Sequence, residues 1–212
     1  YIVVPCYNEE QVLAETSKRL KEKCEMLIHD GKIAKESRIV FVDDGSKDHT
    51  WNMIDEFHKM DSIFSGVKLS RNRGHQNALL AGLTMASEKA DIVISMDADL
   101  QDDINAVDQM IEKYYEGCDI VYGVRSARDT DTFFKRFTAE AFYKLINKFT
   151  EVEIVDGARD FRLMTREVVD SVLSLQEYHR FSKGIFAWVG YKTIYLEYEN
   201  VERVAGETSW SF

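Results

Sequence analysis

Short, nearly unbroken apolar runs at Tyr1 to Pro5, Ile39 to Val42, Phe64 to Leu69, Ile92 to Met96 and Ile120 to Val124 predict five β-strands. Because the runs do not alternate with polar residues, they predict parallel strands covered on both faces. Between them, Val12, Leu13, Leu20, Cys24, Leu27 and Ile28 recur at helical spacing, as do Leu79, Leu80, Leu83 and Ala86, and then Ile104, Val107, Ile111 and Tyr114. The resulting βαβαβ order predicts an α/β wound parallel sheet with ligands at the carboxyl ends of its strands. After Val124 the pattern predicts a long helix through Phe134, Phe137, Ala141, Leu145 and Phe149, a strand near Phe161-Arg162-Leu163, two shorter helices and a strand from Thr193 to Tyr198. With no proline- or glycine-rich linker and no repeat, the second half is expected to complete the same domain.

Helix ends have their own signals. Asn8, ahead of Glu9-Glu10-Gln11, is expected to cap the first helix, Ser46 or Asp48 the second, and Gly117 to end the fourth.

Composition narrows the class. A chain of 212 residues, 45% hydrophobic, is of the right size for one domain with a substantial core. Its three cysteines, Cys6, Cys24 and Cys118, are an odd number at unrelated spacings, which argues against a disulfide framework or a zinc site and for a reducing compartment. A formal net charge of -10 argues against nucleic acid as a partner. No signal peptide and no run of about 20 apolar residues is present, so the chain as given is expected to be soluble. It opens in mid-strand and stops after Thr208-Ser209-Trp210-Ser211-Phe212 without a helix stop, as expected for a piece of a longer polypeptide.

Two acidic pairs stand at strand ends. Asp97-Ala98-Asp99 follows the strand from Ile92 to Met96, and residues two apart in an extended chain point to one side, so both carboxylates could meet one hard cation, with Gln101 adding a third oxygen. Asp43-Asp44, before Gly45-Ser46, could accept hydrogen bonds from a nucleobase imide or a ribose hydroxyl, with the glycine letting the backbone approach a ligand. In isolation either pair is equally a solvated turn or a cap. Together with Glu9 on the same rim they repel a bare diphosphate, each like-charge pair costing roughly 3 kcal/mol at about 5 Å and an effective dielectric of about 20. A divalent cation reverses that sign.

Pro5-Cys6-Tyr7-Asn8-Glu9-Glu10, Asp43-Asp44-Gly45-Ser46, Asn72-Arg73-Gly74 and Asp97-Ala98-Asp99-Leu100-Gln101, in this order and spacing, resemble the inverting glycosyltransferases of family 2, which have the GT-A fold. Four further segments resemble the branch that moves sugar onto a polyprenyl phosphate, such as dolichyl-phosphate mannose synthases and bacterial polyprenyl-phosphate glucosyltransferases. They are Gly157-Ala158-Arg159-Asp160-Phe161-Arg162-Leu163, His179-Arg180-Phe181, Phe186-Ala187-Trp188-Val189-Gly190-Tyr191 and Arg203-Val204-Ala205-Gly206-Glu207-Thr208-Ser209.

The resemblance implies a single GT-A catalytic domain over 1–212, a Rossmann-like, mostly parallel sheet flanked by helices, with membrane helices to follow Phe212. It implies that Pro5, Tyr7, Glu9 and Asp44, assisted by Asp43 and Arg73, line the nucleotide-sugar pocket, and that Asp97, Asp99 and Gln101 hold Mg²⁺ or Mn²⁺ on the diphosphate. Arg125 and Arg136 would grip an acceptor phosphate, as arginine's fork suits, and Arg203 would close over the diphosphate. Asp160 would stand near the anomeric carbon with Asp156 as the alternative, a choice that Arg159, where the branch has an uncharged residue, leaves open. The helix from Phe133 to Phe149, with Lys135, Arg136, Lys144 and Lys148 off its aromatic side, suits either a membrane surface or a core-facing position. His75, His179 and Trp188 read as packing or capping residues.

The expected function is transfer of a hexose, with UDP-glucose favoured as donor, to a polyprenyl phosphate with inversion at the cytoplasmic membrane face. A saccharide or protein hydroxyl as acceptor would instead require Asp160 to act as a general base. A non-catalytic nucleotide-binding domain is a further alternative. An aspartyl phosphatase fits less well, because Asp97-Ala98-Asp99 sits on the fourth strand and is followed by Leu100-Gln101. Oligomeric state is not legible here, and a homo-oligomer is left open.

Overall fold

The protein's structure, a computed structural model, describes residues 1–125, 158–175 and 182–198. Every strand expected in this range is present: β1 (Ile2–Cys6), β2 (Ile39–Asp43), β3 (Phe64–Lys68), β4 (Ile92–Ser95), β5 (Ile120–Arg125), β6 (Ala158–Thr165) and β7 (Thr193–Tyr198). They form a seven-stranded sheet in the order β3-β2-β1-β4-β6-β5-β7. All neighbours pair parallel except β6, which runs antiparallel to both β4 and β5. The chain winds one way from β1 to β3 and the other way from β4, so the carboxyl ends of β1 and β4 flank the crevice where such sheets bind ligands, with that of β2 next to β1.

The helices are α1 (Leu13–His29), α2 (Thr50–Met60), α3 (His75–Ser87), α4 (Ala106–Tyr115), α5 (Arg166–Ser174) and α6 (Ser182–Trp188). Successive strand residues point to opposite faces. Ile2, Val4, Cys6 and Phe41 accordingly pack with Leu13, Leu20 and Met110 of α1 and α4, whereas Val3, Val40 and Val42 pack with Leu79, Leu83, Val168 and Phe186 of α3, α5 and α6. Both faces are thus dry, which is why the runs are continuously apolar. Burial stabilises each such side chain by about 1.5–3 kcal/mol. Helix α3 lies so close to the sheet that a Cβ on Gly82 would stand 2.3 Å from Val3 Cγ1.

The expected caps have mixed outcomes. Gly117, at φ 85°, ends α4 with its N–H donating to the Tyr114 carbonyl and that of Cys118 donating to the Lys113 carbonyl, a Schellman arrangement. Asp48 Oδ1 accepts the Thr50 N–H at the start of α2. Asn8 does not cap α1: the helix begins at Leu13, and Asn8 Oδ1 accepts the Lys47 N–H instead. The predicted helix over Phe134 to Phe149 lies outside the described residues. Cys6, Cys24 and Cys118 are buried free thiols. Among the described residues no helix is long and apolar enough to cross a membrane.

Candidate active site

The loops after β1 and β2 are stitched together. Asn8, in a left-handed conformation at φ 56°, donates its N–H to Ser46 Oγ at 2.9 Å, Glu9 donates its N–H to Thr50 Oγ1 at 2.8 Å, and Glu10 Oε2 accepts the His49 N–H at 2.9 Å. Asp43, at the end of β2, is wholly buried; its Oδ1 accepts the Ser46 N–H, while its Oδ2 has no partner among the described residues. An orphaned carboxylate oxygen of that kind suits a ligand donor such as a base imide or a ribose hydroxyl.

Asp44 does something else. Its two oxygens accept the Arg73 N–H at 2.7 Å and the Gly74 N–H at 2.8 Å, tying the segment after β3 to the rim. A Cβ on Gly45 would stand 2.5 Å from the Arg71 carbonyl carbon, so this glycine is required by a backbone approach to Arg71 and Asn72. The close approach expected from sequence is thus made here to backbone of the segment after β3.

Beyond β4 the chain is not extended. Strand pairing stops at Ser95, Asp99 Oδ1 accepts the Gln101 N–H at 3.1 Å, and Leu100 is buried at φ 58°. The strand-alternation argument for Asp97 and Asp99 therefore does not apply, and they share a tight loop instead. Withdrawal from solvent and the carboxylates of Asp102, Asp160 and Asp99 push Asp97 up to about 6, against the pull of His75. Among the described residues no three His, Cys, Asp or Glu side chains form a ready-made metal cage. Oxygen donors on a loop short of positive charge nevertheless suit a hard cation that takes its remaining ligands from phosphate and water, the habit of Mg²⁺.

Asp160 faces this loop from β6. The antiparallel pairing of Ser95 with Arg162 brings the start of β6 to the loop, Ser95 Oγ donates to the Asp160 carbonyl, and the carboxylates of Asp97 and Asp160 lie 3.8 Å and 3.2 Å from His75 Nε2. Asp160 Oδ2 accepts from Gln76 Nε2 at 3.1 Å and lies 3.2 Å from His75 Nε2, while Oδ1 is ion-paired with Arg162. The Arg162 guanidinium, itself fully buried, is sandwiched by the rings of Tyr122 at 5.1 Å and Phe186 at 4.3 Å.

Burial alone would raise the Asp160 carboxyl, but the His75 hydrogen bond and the Arg162 charge hold it far below the usual carboxylate range. For His75, whose ring is 39% exposed and 3.8 Å from Asp97 Oδ1, burial opposes protonation; the Asp160 hydrogen bond and the Asp97 charge win and raise it.

The predicted site residues Pro5, Tyr7, Glu9, Asp43, Asp44, Arg73, Asp97, Asp99, Gln101 and Asp160 therefore stand at the ends of neighbouring strands or in the loops that follow them. Proximity is reported by Cys6, whose thiol is raised by burial and then by the charges of Glu9, Asp43, Asp48 and Asp97. Arg125 closes β5, with its backbone alone described; Arg136, Asp156 and Arg203 lie outside the described residues. His75, read from sequence as packing or capping, stands in the site. Gln76 and Arg162 were not singled out. The signals available were the position of His75 and Gln76 directly after Asn72-Arg73-Gly74 and a charged residue, Arg162, inside an apolar strand.

The family model for glycosyl transferase family 2 matches residues 1–173. The chain is 48% identical over 209 residues to an uncharacterized glycosyltransferase, YkoT, of Bacillus subtilis, covering 99% of this chain and 62% of the relative. It is 43% identical over 205 residues to a bactoprenol glucosyl transferase of Shigella phage SfV, covering 97% of this chain and 64% of that one. The chain thus spans somewhat under two thirds of these relatives' length. Among solved structures, a mannosyltransferase from Pyrobaculum calidifontis in complex with GDP-Man and Mn²⁺ superposes with a TM-score of 0.61 at 19% identity, over 98% of this chain and 57% of that one. Glucosyl-3-phosphoglycerate synthase from Mycobacterium tuberculosis superposes with a TM-score of 0.57 at 19% identity, over 97% and 72% of the two chains. Those likenesses establish the fold, and the family match over most of the chain, with relatives of this identity, establishes the lineage: the chain belongs to glycosyl transferase family 2.

Proposed function

We propose that this chain is the catalytic domain of a glycosyltransferase that moves a hexose, glucose from UDP-glucose as the favoured case, onto a polyprenyl phosphate with inversion. The observation that carries the acceptor class is the pairing of Asp160 with Arg162, His75 and Gln76. An alcohol acceptor must lose its proton to a base, and a carboxylate held so far below its usual range by Arg162 and His75 is a poor one. A phosphate acceptor is already ionised. The bactoprenol glucosyl transferases among the relatives support the same acceptor.

In this reading Asp43 offers its orphaned oxygen to the nucleoside, with Pro5, Tyr7 and Glu9 around it, and Asp44 acts by fixing the Arg73 loop. Asp97, Asp99 and Gln101 would hold Mg²⁺ or Mn²⁺, which when bound neutralises the departing diphosphate. Arg203 closes on the donor, and Arg125 and Arg136 grip the acceptor phosphate. An acceptor oxygen attacks the anomeric carbon from the face opposite the diphosphate, the carbon–oxygen bond to the diphosphate breaks, and Asp160, favoured as a carboxylate by Arg162 and His75, stabilises positive charge building at that carbon. The site is expected at a membrane surface, where a polyprenyl phosphate resides.

The pH dependence of turnover tests the role of Asp160. Asp160→Asn is expected to lower kcat by about 10²-fold or more without removing any acidic limb of the profile. An acidic limb that disappears with Asp160→Asn would mark a general base and a hydroxyl acceptor.

A further inference from the structure

The loop bearing Asp97 and Asp99 is held by side chains from two distant elements. From α1, Thr16 Oγ1 donates to the Ala98 carbonyl at 2.7 Å in a buried contact. From the last residue of β7, Tyr198 Oη donates to Asp102 Oδ1 at 2.6 Å, and both side chains are buried. The other oxygen of Asp102 faces the Asp97 N–H at 3.5 Å. Packing aims the tyrosine: its ring stands edge-on to Phe161, centroids 5.4 Å apart, above Gly123, where a Cβ would come within 2.8 Å of it.

Two features make this more than core packing. A buried carboxylate without donors is costly, so Asp102 depends on its partners for its place. Tyr198 also lies past residue 173, where the match to the family model ends, so the tether comes from outside the matched region.

We propose that Tyr198 is a positioning residue for the cation loop: its hydroxyl fixes Asp102, and through Asp102 the backbone at Asp97, so that Asp97 and Asp99 are held in place for a divalent cation. This rests on the reading of Asp97 and Asp99 as cation ligands. Second-layer partners of this kind commonly change metal affinity by about 10–100-fold when removed.

The test is Mn²⁺ binding, followed by the electron paramagnetic resonance of the free ion with UDP as co-ligand, in the full-length protein. Wild type, Tyr198→Phe, Asp102→Leu and the double variant are compared, each also titrated with UDP in EDTA. Tyr198→Phe keeps the ring and its contact with Phe161. It is expected to weaken Mn²⁺ about tenfold and leave metal-free UDP binding unchanged. On the Asp102→Leu background the same change is expected to do little more, because both remove one contact. Unaltered Mn²⁺ affinity in Tyr198→Phe, an equal loss of UDP binding in EDTA, or additive effects in the double variant would each overturn the proposal. Wild type showing no Mn²⁺-dependent UDP binding would overturn the donor reading beneath it, a failure visible without any variant.

Discussion

Asp97 and Asp160, side by side on neighbouring elements, are driven in opposite directions, and each has a consequence for stability. Asp97 is raised to about 6, above its unfolded value, so its contribution favours the fold at low pH and is lost as pH rises through about 6. Asp97→Asn in metal-free buffer is therefore expected to raise Tm at pH 7.5, and the gain should shrink as pH falls below about 6 and vanish only below the ordinary carboxylate value, about pH 4. Because 36% of the side chain is exposed, the effect is discounted to about 1 kcal/mol, or roughly 2–4 °C for a chain of this size. A thermal melt at the two pH values checks this.

Asp160 is lowered, so its contribution is present at neutral pH and lost as pH falls below the usual carboxylate range. Its partner Arg162 is fully buried, and Arg162→Met is expected to cost about 3–5 kcal/mol by stranding that carboxylate. Adding Asp160→Asn should recover part of the loss, which denaturant melts of the single and double variants would read. Neither partnership was legible in the sequence, because the contact depends on the direction of β6. The run at Phe161-Arg162-Leu163 reads as a strand, but nothing local says that it lies antiparallel beside β4 and so sets Asp160 next to Asp97.

Elements were legible where burial on both faces makes the pattern unambiguous. Val3 and Val4 serve opposite cores, as do Val40 and Phe41, so an apolar run could be read directly as an inner strand. The turns were not, because their geometry is set by hydrogen bonds across the rim: Asn8 was expected to cap α1 and instead joins the loop after β2, and the chain at Asp97 turns where an extended strand was expected. Close packing between elements was equally hidden. Gly82 in α3 looks like a helix weakened by about 1 kcal/mol relative to alanine. In the structure an added methyl would collide with Val3 at 2.3 Å and Val42 at 2.9 Å. Gly82→Ala is accordingly expected to lower stability by about 1–2 kcal/mol despite the better propensity; a rise in Tm would contradict the packing of α3 on β1 and β2.

For the whole molecule, the fold joins an acidic rim, a loop at Asp97 and Asp99 held by Thr16 and, through Asp102, by Tyr198 from both halves of the chain, and an Asp160 carboxylate paired with buried Arg162. With a formal net charge of -10, the proposed function requires a cation and a few arginines to attract a nucleoside diphosphate. EDTA is therefore expected to weaken UDP binding by at least about tenfold at moderate ionic strength, a loss that calorimetry with and without Mn²⁺ would measure. Among the described residues no helix is long and apolar enough to cross a membrane, so a membrane location is proposed from the acceptor chemistry alone.

The choice of a phosphate over a hydroxyl acceptor is tested by transfer of labelled glucose from UDP-glucose, with Mn²⁺, to a polyprenyl phosphate and in parallel to the corresponding polyprenol. The expected result is UDP release and a lipid-phosphate-linked sugar of inverted configuration from the phosphate alone. Transfer to the alcohol in preference to the phosphate would contradict it.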